Sequence, residues 1–136
     1  MKFVVVLART LFLLVVLAVV TVPAVASDNA LGLFYDTNAS IDEIDVSPNS
    51  THSLYLVLLN PVNENYDGGG TRDVGYVWAF ECAVQPPSGD MLLGVTFPTP
   101  AVNLGSIANI VVGFAAPVSV SSQRAATLAT FNVLTM

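Results

Sequence analysis

The chain has 136 residues, 54% hydrophobic and 10% charged, with a formal net charge of −6 and an isoelectric point near 4.2. So acidic a chain lacks the basic surface that nucleic acids and anionic membranes require. Its single cysteine, Cys82, excludes an intramolecular disulfide framework.

The first 26 residues read as a cleavable secretory signal peptide. Lys2 and Arg9 supply positive charge, and Leu11 to Val20 is an unbroken apolar run. Ala24-Val25-Ala26 is a small-x-small cleavage site, with Ala24 and Ala26 as its small residues, and Pro23 breaks any helix before it. An uncleaved anchor over Phe3 to Val22 is the other reading, and the only route to membrane contact. Arg9 and Thr10 interrupt it, and the apolar run is shorter than the roughly 20 residues that span a bilayer. Export to the cell envelope or exterior is therefore expected. All 10 acidic residues lie beyond the cleavage site, against Arg72 and Arg124 alone, so the exported part is more acidic than the whole chain.

Residues 27–136 are expected to form a single domain. No stretch of them has helical periodicity. Short apolar or alternating runs recur between clusters of Asn, Asp, Gly, Pro and Ser, which is the pattern of an all-β protein. The predicted strands are Leu31 to Tyr35, a short acidic edge strand at Ile41 to Val46, His52 to Leu59, Val74 to Val84, Met91 to Phe97, Ile107 to Ala115 and Arg124 to Leu134. A further short edge strand is possible within Pro117 to Gln123. Pro61 to Asp73, with Gly68, Gly69 and Gly70, is expected to be irregular.

In the Val74 to Val84 strand the even positions Val74, Tyr76, Trp78, Phe80, Cys82 and Val84 carry the large apolar side chains. Period two then places Trp78 in the core and Glu81 outside. Cys82 reads as a small core hydrophobe, with pairing between chains as the alternative. Strands at this spacing suggest an antiparallel two-sheet β-sandwich of jelly-roll or immunoglobulin-like type. Several are apolar on both faces, where a lone sandwich would keep one face polar. Either the outer faces pack on another domain or subunit, or the chain is a fragment of a longer protein. The end at Met136, with no polar tail, slightly favours the fragment.

The segments HSLYLVLLN, VGYVWAFECAVQPPSGDMLLGVTF and ATLATFNVL, in that order, resemble cohesin-type modules. There, a Gly-aromatic strand leads through a turn to a hydrophobic strand, and an alternating strand closes the domain. The segments GLFYD, YLVLLNP and VGFAAP also resemble a set of secreted bacterial proteins of unassigned function. The likeness covers most of residues 31 to 134 and is one of strand pattern. It implies a sandwich used for recognition outside the cell. Cohesins bind dockerin modules, and carbohydrate-binding modules share the architecture. The domain is shorter than a full cohesin, and no dockerin-binding face maps onto it residue by residue.

Candidate sites are sparse. Asn63, Asn65 and Asp67, followed by Gly68, repeat the first half of a calcium-binding loop. The acid expected at the twelfth position is displaced, because Asp73 stands one place early and Val74 occupies that position. Calcium is thus a possible ligand of Asn63, Asn65, Asp67 and Asp73, against a glycine-rich hairpin loop. Asp36, Asp42, Glu43 and Asp45 could hold a metal but read more simply as edge protection. Tyr35, Tyr55 and Tyr66 are candidates for a sugar-stacking platform. His52 is the only histidine, and no G-x-S-x-G elbow accompanies it. Glu81 with Asp90 would form a glycosidase pair only through a coincidence of folding. Asn38-Ala39-Ser40 and Asn49-Ser50-Thr51 are glycosylation sequons. The expected function is therefore non-catalytic, a recognition or structural module that binds a protein partner. A carbohydrate-binding sandwich is the alternative, and a hydrolase stands behind both.

Overall fold

A computed structural model describes residues 27–136 apart from 67, 87 and 88, and only the backbone of Asn65 and Tyr66. The expected signal peptide and its cleavage residues Ala24 and Ala26 lie outside the described residues. Those described form an all-β arrangement with every strand pair antiparallel and no helix.

Nine strands follow in chain order: β1 (Ala30–Phe34), β2 (Ser50–Leu59), β3 (Val62–Tyr66), β4 (Gly70–Asp73), β5 (Tyr76–Ala83), β6 (Asp90–Thr96), β7 (Ala101–Asn103), β8 (Asn109–Ser119) and β9 (Ala125–Thr135). One sheet has the order β1-β2-β9-β6, a second has β5-β8-β7, and β3 and β4 form a hairpin. The predicted strand at 41–46 is absent. That stretch forms no ladder, and its acidic side chains are exposed. The stretch expected to be irregular, 61–73, is instead largely the β3-β4 hairpin.

Both larger sheets contribute to one buried cluster. Leu54, Leu56, Leu128, Phe131 and Val133 come from β2 and β9, while Val77, Ile110, Val112, Phe114 and Val118 come from β5 and β8. Phe131, Ile110, Leu128 and Val133 are essentially sealed from solvent. Phe80 stacks on Phe114 at 5.8 Å between centroids, and Phe97 meets both rings edge-on at 6.5 and 6.4 Å. Such ring pairs add specificity beyond the area they bury.

The ends of the strands are tied by turns that suit their residues. Asn29, Asn49 and Asn60 take left-handed backbone angles, which asparagine tolerates. Arg124 does so as well, with φ at 59°. Its amide donates to the Ser121 carbonyl at 2.9 Å, and its own carbonyl accepts from the Asn60 amide at 2.8 Å. Its guanidinium nitrogen Nη2 lies 2.8 Å from Asp73 Oδ1. That contact is one of charge, because the nitrogen is buried without an aligned hydrogen bond. Both side chains are well exposed overall, so the pair contributes little stability.

Beyond β1, Asp36 organises a tight turn. Its carboxylate accepts hydrogen bonds from the amides of Asn38 at 3.2 Å, Ser40 at 2.8 Å and Ile41 at 2.8 Å, and from Ser40 Oγ at 2.8 Å. Desolvation pushes the carboxyl up, but the bonds from Ser40, Ile41 and Asn38 outweigh it and hold the group below its ordinary value. Thr127 Oγ1 of β9 donates to the Thr37 carbonyl at 3.4 Å, which brings this turn over the first sheet.

Candidate binding surface

Strand β5 departs from simple alternation. Val77 is buried, Trp78 and Ala79 are both exposed, and Phe80, Cys82 and Val84 pack against the core. The inward set is thus odd-numbered before the break and even-numbered after it. The cause is a bulge. Val77 pairs with Val118 of β8, but Ala79 pairs with Gly113, so residues 114–117 of β8 are passed over at Trp78.

The bypassed residues have other partners. Phe114 pairs with Ala101, the Ala115 amide donates to the Pro100 carbonyl at 2.8 Å, and Thr99 Oγ1 donates to the Ala116 carbonyl at 3.0 Å. Pro117 has no N–H to give to either neighbour. These contacts continue the β7 ladder on the opposite edge of β8, so the skipped residues are held on that side while their pairing with β5 lapses. The expectation that Trp78 is a core residue is overturned, because a bulge places two successive residues on the same side of a strand.

Trp78 and Tyr76 are each 61% exposed. On the same outer face, Val102 of β7, Gly113 of β8 and Ala79 of β5 stand in one row across the sheet, and Val111 faces Glu81 in the next. Val102 is 65% exposed and Leu104, just past β7, 82%. Nothing lies within 4 Å of where a Cβ on Gly113 would sit, so the middle of the face is flat and open. Glu81 is the one charged residue among the outward positions of these strands. Large exposed apolar patches with aromatic rings are uncommon on isolated monomeric proteins.

The turn from β7 to β8 is built to hold Leu104 out. Asn103 Oδ1 accepts from the Gly105 amide at 3.0 Å and the Val111 amide at 3.2 Å, and the Leu104 amide donates to the Val111 carbonyl at 2.9 Å. A Cβ on Gly105 would collide with the carbonyl of Asn109, so this approach needs glycine.

The residues singled out from sequence are scattered. Tyr35 packs inward against the core, with its ring 5.6 Å from that of His52. Tyr55 lies on the other side of the sheet, in register between Phe34 and Thr130. The Tyr66 side chain lies outside the described residues, as do those of Asn65 and Asp67. In the β3-β4 hairpin Asn63 pairs with Arg72, and Val62 with Asp73. Successive residues alternate between faces, so Asn63 and Asp73 leave the hairpin on opposite sides. Among the described residues no three His, Cys, Asp or Glu side chains converge as a metal site. His52 Nδ1 lies 3.5 Å from Thr135 Oγ1, so the hydroxyl it meets belongs to a threonine. Cys82 is half-buried, and desolvation pushes its thiol up, away from the reactive thiolate.

Compared with protein-family models, curated proteins and solved structures, the chain matches none. The sequence showed Ile107 to Ala115 as apolar on both faces, but not that Trp78 joins the outer face of β5-β8-β7. The signal available for it was Pro117 inside the apolar run of β8, since a proline within a strand forces a neighbouring ladder to break.

Proposed function

We propose that this chain is an exported, non-catalytic recognition module that acts by contact with a protein partner through the outer face of β5-β8-β7. The scaffold in this reading is a two-sheet β-sandwich similar to cohesin modules, released outside the cytoplasm by cleavage after Ala26. The observation that carries it is the bulge at Trp78, which turns a large aromatic side chain out of the core onto a flat apolar face. Burying a tryptophan releases far more hydrophobic free energy than burying a small side chain, so leaving it exposed suits a surface that meets another molecule.

Carbohydrate binding is the second reading. What favours it is the pair of exposed rings, Tyr76 and Trp78, two residues apart on one strand. Sugar rings stack on such platforms.

A photo-crosslinking residue at position 78, compared with one at Thr51, separates the two readings. Thr51 is also exposed but lies on β2. The protein-contact reading expects protease-sensitive adducts from the exterior fraction at position 78 and none at position 51. Retention on an insoluble polysaccharide, lost on Trp78→Ala, without a protein adduct would replace it with the second reading. Equal adducts at both positions would contradict both.

A further inference from the structure

A separate cleft of about 440 Å³ is lined by Leu33, Tyr35, Asp42, Leu54, Gln85 and Pro86. Several elements assemble it. Leu33 and Leu54 are inward residues of β1 and β2, and Tyr35 follows β1 on the same inward side. Gln85 and Pro86 follow the buried Val84 beyond β5. Asp42 enters from the stretch that forms no strand. The lining combines aliphatic Leu33, Leu54 and Pro86 with aromatic Tyr35, acidic Asp42 and the amide residue Gln85. No cation lines it. The side chains of Asp42 and Gln85 have no hydrogen-bond or ion-pair partner among the described residues.

We propose that this cleft receives a lysine or arginine side chain of the protein partner, an inference that rests on the protein-contact reading above. Three features select a basic side chain. Its aliphatic stem can lie on Leu33, Leu54 and Pro86 while its head stays at the mouth, as long cationic side chains do on apolar surfaces. The head finds an unpaired carboxylate in Asp42 and an acceptor in the Gln85 amide oxygen, and hydrogen bonds between ionised partners are the strong ones. The Tyr35 ring adds a π face to the same space. An acidic side chain would meet Asp42 with like charge, and a purely apolar one would strip water from Asp42 without replacing it. The acidity of the whole chain steers basic partners toward it.

The test is a titration of the ¹⁵N-labelled full chain, followed by NMR, with the blocked tripeptides Gly-Arg-Gly, Gly-Lys-Gly and Gly-norleucine-Gly. The proposal expects shifts centred on Leu33, Tyr35, Asp42, Leu54 and Gln85 with the arginine or lysine peptide. Binding should weaken at least tenfold with norleucine or in Asp42→Asn, and should weaken as salt rises. Asp45→Asn removes the same charge from a nearby residue that does not line the cleft, and should keep most of the affinity. Equal binding of norleucine, an equal loss in the two variants, shifts elsewhere or no shifts would each overturn it. The outcome is separable from that of the contact face. A missing tripeptide response with an intact crosslink at position 78 removes the cleft alone. A missing crosslink with an intact tripeptide response removes the face alone.

Discussion

Strands β8 and β9 are both 11 residues long and both lie inside their sheets, yet they are buried differently. In β9 the inward side (Ala126, Leu128, Ala129, Phe131 and Val133) is buried in the main cluster. On the other side Ala125 is buried, Thr127, Thr130 and Leu134 are half-buried and only Asn132 is exposed. In β8 buried and exposed residues alternate, with Ile110, Val112 and Phe114 inside and Asn109, Val111 and Gly113 outside. Part of the difference is the Asp36 turn, which Thr127 holds over the first sheet. No described element covers the second sheet in this way. The outer side of β9 is thus partly covered, whereas β8 packs one face into the core and leaves the other exposed.

The comparison breaks most severely at the core. Phe131→Ala on β9 should cost about 3–5 kcal/mol, by loss of transfer energy plus the cavity left behind. Urea denaturation measures it, and a loss under about 1 kcal/mol would mean that β9 is not sealed as described. Next is Gly105→Ala. Overpacking of this kind costs about 1–3 kcal/mol. It should also weaken any partner bound at the β5-β8-β7 face, because it moves the turn that carries Leu104.

Asp36→Ala sharpens the account of the covered face. The Asp36 carboxyl is held below its ordinary value in the folded state, so its contribution is fully present above that ordinary value. It fades as the pH falls through the lower folded value. Melting temperatures of wild type and variant should therefore differ at neutral pH and converge in acid. A difference that stays constant down to the lowest pH would contradict the hydrogen-bonded turn. The smallest effect belongs to Trp78→Ala, which should change stability by no more than about 0.5 kcal/mol, as expected for an exposed side chain. The same variant should lose the partner.

Most of the strands were legible in the sequence, because turn residues punctuate it. Asn60-Pro61 closes β2, Pro98 and Pro100 follow β6, and Asn49 and Asn60 supply left-handed turns. The three-residue strand β7 is too short to show a period. The β3-β4 hairpin was hidden because polar residues such as Asn63, Glu64 and Arg72 carry no apolar alternation. On the candidate surface, the apolar outer side of β8 was legible but the outward placement of Trp78 was not. Which way Trp78 points depends on where β8 skips residues 114–117 in its pairing with β5, more than thirty residues later in the chain, and periodicity within β5 contains no record of that. Period two held on each side of the bulge and failed across it.

Trp78 is the only tryptophan, so the fluorescence of the native protein reports this one side chain. With the ring 61% exposed, its emission should lie close to that of the urea-unfolded chain, and acrylamide should quench both to a similar degree. A blue-shifted native emission, shielded from acrylamide until the chain unfolds, would mean that Trp78 is buried. Unbroken alternation along β5 would then hold, and the outward face would lose its central residue.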